Sequence, residues 1–286
     1  MKKYILIMVI STLMISSMVQ AIPENRNQKL LDTTNIEQNT NSFTHTVFAE
    51  ECTATWCPNC PMAAEALHSI YESGDYPFYY VAYVNDKSSI AKERNQDYSG
   101  IIKIYAFPTV YFDGGDTSFV GRESTVQLTE TEYRKLIERE GARTPKQPIT
   151  MGSTVTWDGN AKLTVTITIK NEGSNLYFGK IRSYVAEIES RWKDDSGDPY
   201  NFGFLDFAVN KIILLMPGKT KTITGSFNGA ANHGNNTFGD ITSDNIIVIS
   251  AISNWIPHLR VGYESEKYTQ RYLAYYVDQS TAAIPT

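Results

Sequence analysis

The periodicity of this chain changes once, and that change limits what it can fold into. Up to Glu140, short β-forming runs alternate with stretches of helical spacing. Beyond Pro148 the pattern becomes almost entirely β, with clean apolar–polar alternation over Lys162–Lys170. Between the two lies Gly141-Ala142-Arg143-Thr144-Pro145-Lys146-Gln147-Pro148, a linker by composition. A length of 286 residues holds two units, each able to bury its own core. The expectation is a layered α/β unit over residues 44–140 and an all-β unit over residues 149–286.

In the first unit Thr46-Val47-Phe48-Ala49 reads as a buried strand running into Glu50-Glu51-Cys52. Ala63, Ala64, Leu67, Ile70 and Tyr71 then keep helical spacing up to Gly74, a natural C-terminal stop. Phe78 to Val84 is strongly β-forming, and Ser88 to Tyr98 fits a polar helix. Val110-Tyr111-Phe112, the turn Asp113-Gly114-Gly115-Asp116 and Ser118-Phe119-Val120 follow. A helix from Thr129 to Glu140, with Thr129 and Glu132 as a capping box, closes a β-α-β-α-β-β-α order. In the second unit Lys162–Lys170, Ile181–Ile188, Ile212–Leu215, Thr220–Phe227, Asn245–Ile252 and Arg271–Val277 read as strands of an antiparallel sandwich. Arg191 to Tyr200 and Trp255 to about Tyr268 read as loops.

The first 21 residues stand apart. Lys2 and Lys3 precede an apolar run, Tyr4 to Val19, and Val19-Gln20-Ala21 offers small residues before a cut at Ile22, which is the secretory signal pattern. The run of about 16 residues is near the lower limit for crossing a bilayer, so an uncleaved anchor is the alternative. Residues 22–43 are rich in Asn, Gln and Thr and read as a spacer. The protein is therefore expected outside the cytoplasmic membrane: periplasmic, at the cell surface or secreted, where thiols can be held oxidised. A net charge of −5, with both signs scattered, argues against a nucleic-acid footprint.

Cys52, Cys57 and Cys60 are the only cysteines, too few for a disulfide scaffold. Cys57 and Cys60 form a Cys-x-x-Cys pair where a helix begins. There the unpaired N–H groups and the positive end of the dipole favour thiolate over thiol at the first sulfur. The second sulfur lies within disulfide reach but deeper. Cys57 is thus expected to be an exposed nucleophile and Cys60 the resolving thiol, with Pro58 in the first helical turn. Two plainer readings stand beside this one. Zinc needs about four ligands, and His68 lies two turns along the helix. A bracing disulfide across so short a loop constrains the unfolded chain little.

Trp56-Cys57-Pro58-Asn59-Cys60 resembles the Trp-Cys-x-x-Cys active site of the thioredoxin superfamily. Three further features are similar in order: Glu51 six residues before Cys57, Phe107-Pro108-Thr109 before a strand, and Asp113-Gly114-Gly115 after it. The resemblance covers residues 44–140. It implies a thioredoxin-like α/β fold, Glu51 buried beneath the dithiol as a proton relay, and a cis peptide before Pro108. The Phe107 backbone would then be free to pair with an extended substrate, with Trp56 and Thr109 beside it. Glu50 is expected to be exposed, because two adjacent buried acids are costly. Pro58-Asn59 departs from the pairs of reducing thioredoxins and disulfide isomerases, so the direction of electron flow stays open. Cys52, on the other face of its strand, is expected to be a buried free thiol.

Residues 149–286 resemble the immunoglobulin-like sandwiches that follow thioredoxin-like domains in some exported proteins, without the cysteine pair of antibody domains. The fold class expected is therefore a thioredoxin-like α/β domain followed by an immunoglobulin-like β-sandwich. The function expected is thiol–disulfide exchange with cysteine-containing proteins, restored by a redox partner protein. No cofactor or metal is needed beyond the dithiol. The rival is a non-enzymatic surface binding or assembly protein whose disulfide is structural and whose β half binds the partner.

Overall fold

Strand β1 (Val47–Thr53) is buried along its whole length, and its two faces meet different surroundings. The computed structural model describes residues 43–98, 106–264 and 269–286. The expected signal and the spacer up to residue 42 lie outside these residues. After β1 come α1 (Cys60–Ser73), β2 (Phe78–Val84), α2 (Ser89–Gln96), β3 (Thr109–Phe112), β4 (Thr117–Val120) and α3 (Val126–Gly141). The second half contributes β5 (Ile149–Gly159), β6 (Lys162–Asn171), β7 (Tyr177–Lys193), β8 (Pro199–Leu215), β9 (Thr220–Asn228), β10 (Ile246–Asn254), β11 (His258–Glu264), β12 (Thr269–Ala274) and β13 (Val277–Ala283).

The helices follow local rules. In α1 Cys60, Ala63, Ala66, Leu67, Ile70 and Tyr71 form the buried stripe, and Gly74 ends the helix in the left-handed region at φ 67°. Ser88 caps α2 by accepting from the Ala91 N–H. The cap of α3 is Thr125, not the expected Thr129. Thr129 lies inside the helix, buried, with its hydroxyl donating to the Thr125 carbonyl at 2.9 Å.

The expected fold class is overturned. The chain is mainly β, with only three α-helices among the described residues, and its two halves are joined rather than separate. One mixed sheet of eight strands runs β13-β10-β7-β8-β2-β1-β3-β4. The join is a parallel bridge from Ala82 in β2 to Gly203 in β8. A three-stranded sheet, β5-β6-β9, and a ribbon of β11 and β12 complete the molecule.

The physical reason shows in β10. Its Val248 and Ile252 pack in one core with Val165 and Ile167 of β6, whereas Ile247, Ile249 and Ala251 pack in another with Val47, Phe48 and Val81 of the first half. A free-standing sandwich would leave the second face to water and alternate apolar with polar. This strand reads Ile-Ile-Val-Ile-Ser-Ala-Ile because both its faces are covered.

Several loop and strand expectations change with the fold. Arg191 to Tyr200 is the end of a long hairpin, with β7 running to Lys193 and β8 starting at Pro199. The expected strand Ile212–Leu215 is only the last part of β8. His258–Glu264 is strand rather than loop, and Arg271–Val277 spans the break between β12 and β13. The linker residue Arg143 is built in: its Nη2 donates to the Val277 carbonyl and lies 3.3 Å from Asp113, and its Nη1 is 3.3 Å from Asp278. No helix among the described residues is long and apolar enough to cross a membrane.

Candidate functional site

The site begins where β1 ends. Thr55 is pinned by Asp86, whose carboxylate accepts from the Thr55 N–H at 2.9 Å and from its hydroxyl at 2.5 Å. The Thr53 hydroxyl donates to the Tyr200 hydroxyl at 2.9 Å, which donates on to the Ala54 carbonyl at 3.1 Å. Tyr200 belongs to β8, so the second half holds this loop directly. The chain then turns through Cys57, whose N–H reaches the Ala54 carbonyl, and enters α1 at Cys60. Pro61, rather than the expected Pro58, sits in the first helical turn.

Cys57 and Cys60 are joined as a disulfide, with S–S 2.11 Å and Cα atoms 5.4 Å apart. No side chain caps α1 and no acid lies in its first turn, so its free N–H groups face the Cys57 turn unopposed. Such a terminus stabilises a thiolate once the bond opens. The expected exposure of Cys57 is not found: the residue is 2% exposed. Ala54 and Phe107 pack on the disulfide, and Trp56, itself 61% exposed, meets Phe107 edge-on at 5.9 Å. Phe107 therefore covers the disulfide, and Trp56 packs on Phe107 from outside.

The Phe107–Pro108 peptide is cis. No described residue hydrogen-bonds the Phe107 N–H or C=O, while the Pro108 carbonyl accepts from Gly121. Thr109 is placed differently. It pairs with Cys52, on the face of the sheet away from Glu51, and its hydroxyl donates to the Ala106 carbonyl at 2.7 Å. Asn59 is exposed and accepts from Arg122 Nε at 3.0 Å, which ties the disulfide turn to the segment between β4 and α3.

Glu51 is fully buried on the face of β1 that α1 and α3 cover, the face it shares with Ala82 and Val110 across the sheet. Neither carboxylate oxygen has a hydrogen-bond partner among the described residues. Burial, with a smaller push from Asp194, raises its pKa to about 8. Such a group can hold and release a proton near neutral pH.

Glu50 is the residue sequence reasoning misplaced. It is fully buried too, on the opposite face. Arg94 donates to it twice, Nε to Oε1 at 2.9 Å and Nη2 to Oε2 at 2.8 Å; Tyr83 donates to Oε1 at 2.5 Å, and Tyr98 to Oε2. Burial alone would raise its pKa, but Arg94, Tyr83 and Tyr98 outweigh burial and hold it below the usual value. Cys52, on the same face, is a buried free thiol that donates to Asn95 Oδ1 at 2.9 Å, and burial pushes its pKa far up. It is distant in chemistry from the disulfide. Among the described residues no group of three or more His, Cys, Asp or Glu side chains is disposed to hold a metal ion.

No family model matches this chain, and no curated protein matches its sequence. Solved structures do align with it. HBP35 of Porphyromonas gingivalis is similar over 86% of this chain and 78% of its own, at 14% identity and a TM-score of 0.57. Protein AGR_C_4864 from Agrobacterium tumefaciens aligns over 85% of this chain and 95% of its own, at 14% identity and a TM-score of 0.44. A β-glucosidase from Listeria innocua aligns over 46% of this chain but 16% of its own, at 13% identity and a TM-score of 0.27. At such identities the likeness to HBP35 speaks for the fold alone. It does span both halves, as the continuous eight-stranded sheet requires.

Proposed function

We propose that this protein exchanges disulfides with cysteine-containing proteins through Cys57 and Cys60. The observation that carries the reading is the Cys57–Cys60 bond at an uncapped helix terminus, with a buried acid of pKa about 8 on the sheet face beneath that helix. A substrate thiolate attacks the Cys57 sulfur; a mixed disulfide forms and Cys60 leaves as thiolate. Glu51 supplies the proton that Cys60 takes up. A second substrate thiolate then attacks the substrate sulfur of the mixed disulfide and releases Cys57. The substrate is oxidised and the dithiol reduced, and a redox partner protein restores the starting state. Run backwards, the same path reduces a substrate, with Cys57 attacking and Cys60 resolving. The dithiol carries the electrons, so the reading calls for no cofactor.

The motif's similarity to thioredoxin-superfamily active sites supports this reading. So does the open backbone of Phe107 beside Trp56, which suits an extended peptide. The signal-like N-terminus supports work outside the cytoplasmic membrane.

One observation favours the rival, a bracing disulfide in a binding protein: Cys57 is 2% exposed. The two readings part on one experiment. In the Cys60→Ser variant the resolving step is lost, so protein-linked mixed disulfides at Cys57 accumulate in the native compartment. If none forms, and the wild-type reduction potential lies below about −300 mV, the disulfide is a brace.

A further inference from the structure

On the face of β1 away from the disulfide the fold encloses a cavity of about 310 Å³, near the lower end of the range typical of small-molecule sites. Its floor is the buried cluster of Glu50, Arg94, Tyr98 and Tyr184. Lys180 and Arg182 of β7 form one wall. The rim is apolar and aromatic: Trp255 is 39% and Leu273 49% exposed, and Tyr275 lies 5.7 Å from Trp255 ring to ring.

The charges in the cavity do not cancel. Glu50 is taken up by Arg94, and Asp97 accepts from Arg94 Nη1 at 2.7 Å. Arg182 comes no nearer than 3.7 Å to Asp97, whose side chain is 56% exposed. Lys180 has no ion-pair partner among the described residues, and burial together with Arg182 holds its pKa below the ordinary value. Three cations thus face two carboxylates, and the surplus charge sits on the Lys180–Arg182 wall, next to exposed rings. A half-buried cation without a counter-ion gives up part of its hydration unanswered, and an incoming anion relieves that cost.

We propose that this cavity binds a small organic anion, a carboxylate or phosphate carried on an apolar ring, with the anion between Lys180 and Arg182 and the ring against Trp255 and Tyr275. The site is separate from the disulfide and does not depend on its chemistry. The test is calorimetric titration of the full chain, disulfide intact, with 2-naphthoate, 2-naphthyl phosphate and the neutral 2-naphthamide. Saturable one-to-one binding of either anion is expected, at least tenfold tighter than the amide and accompanied by a change in tryptophan fluorescence. The tighter anion identifies the head group. Lys180→Gln and Arg182→Gln should each weaken the anion at least tenfold without altering amide binding. Lys180 is only half-buried, so its variant folds even if the Arg182 variant does not. The proposal falls if the amide binds as tightly as the anions, if Lys180→Gln leaves anion binding unchanged, or if no anion binds saturably.

Discussion

Glu50 and Glu51 leave β1 on opposite faces, and both are fully buried, yet the fold treats them in opposite ways. Glu50 meets an arginine and two tyrosine hydroxyls within 3 Å and is held ionised. Glu51 meets none, and its carboxyl is pushed to about 8 and kept protonated at neutral pH. A buried carboxylate is tolerated only if every lone pair is answered, and a buried carboxyl left unanswered is a proton store. One strand thus carries a paired charge on one side and an unpaired, protonated acid on the other.

Removing the partner of the paired charge should have the largest effect. Arg94→Met leaves Glu50 in the core without its counter-ion, and breaking a buried pair in this way costs about 3–5 kcal/mol. Urea unfolding at pH 7 measures it. Removing both charges together, as Arg94→Met with Glu50→Gln, should recover much of that loss. If the double variant is as unstable as the single one, Glu50 is not held as a charge.

The unpaired acid gives a pH signature. Because the folded pKa of Glu51 lies above its ordinary 4.5, the native state holds one proton more than the unfolded state between pH 4.5 and about 8. Stability therefore falls as pH rises through that window, by about 1.4 kcal/mol per pH unit for one proton, and is unaffected by this group below it. Glu51→Gln should remove that slope, so that wild type and variant differ by a few kcal/mol at pH 8 and converge at pH 4. If Glu51 also relays the proton to Cys60, the variant's disulfide exchange should slow by about 10²-fold or more near neutral pH. A variant that flattens the stability curve while exchange stays fast would separate the buried acid from the chemistry.

The sequence showed one of these two sites better than the other. Glu51 was legible because the Trp-Cys-x-x-Cys motif supplies a reference point six residues away. Glu50 was not, because its partners come from three elements and a turn: Tyr83 from β2, Arg94 from α2, Tyr98 just after it, and Tyr184 of β7, whose hydroxyl lies 3.3 Å from Oε1. The 18 tyrosines were the available signal, since a tyrosine buried in a core brings a hydroxyl that needs a partner. The same gap explains the fold. Helices and short strands follow local periodicity, and most were read correctly from Val47 to Gly141. Whether two β-rich halves lie side by side or share a sheet depends on long-range pairing, here the Ala82–Gly203 bridge. Only the unbroken apolar run from Ile246 to Ile249 hinted that a second layer covers β10.

The smallest effect tests how the shared sheet serves the disulfide. Tyr200 reaches from β8 to the loop before Cys57, accepting from Thr53 and donating to the Ala54 carbonyl. Tyr200→Phe keeps the ring, which packs near Ala82 and Val84, and deletes only the hydroxyl. The loss in stability should be about 1 kcal/mol, the value of a hydrogen bond or two exchanged for partly unsatisfied groups. Its consequence for the site should be local: the loop at Thr53–Ala54 loosens, and Cys57, packed against Ala54, becomes easier to reach. Amide exchange at Thr55 and Trp56, together with the rate at which a small thiol reduces the disulfide, measures both. Reduction faster by more than that small global loss accounts for would mean that the second half acts as a clamp on the sulfurs. An unchanged rate would mean that Asp86, from the first half, is enough to hold the loop.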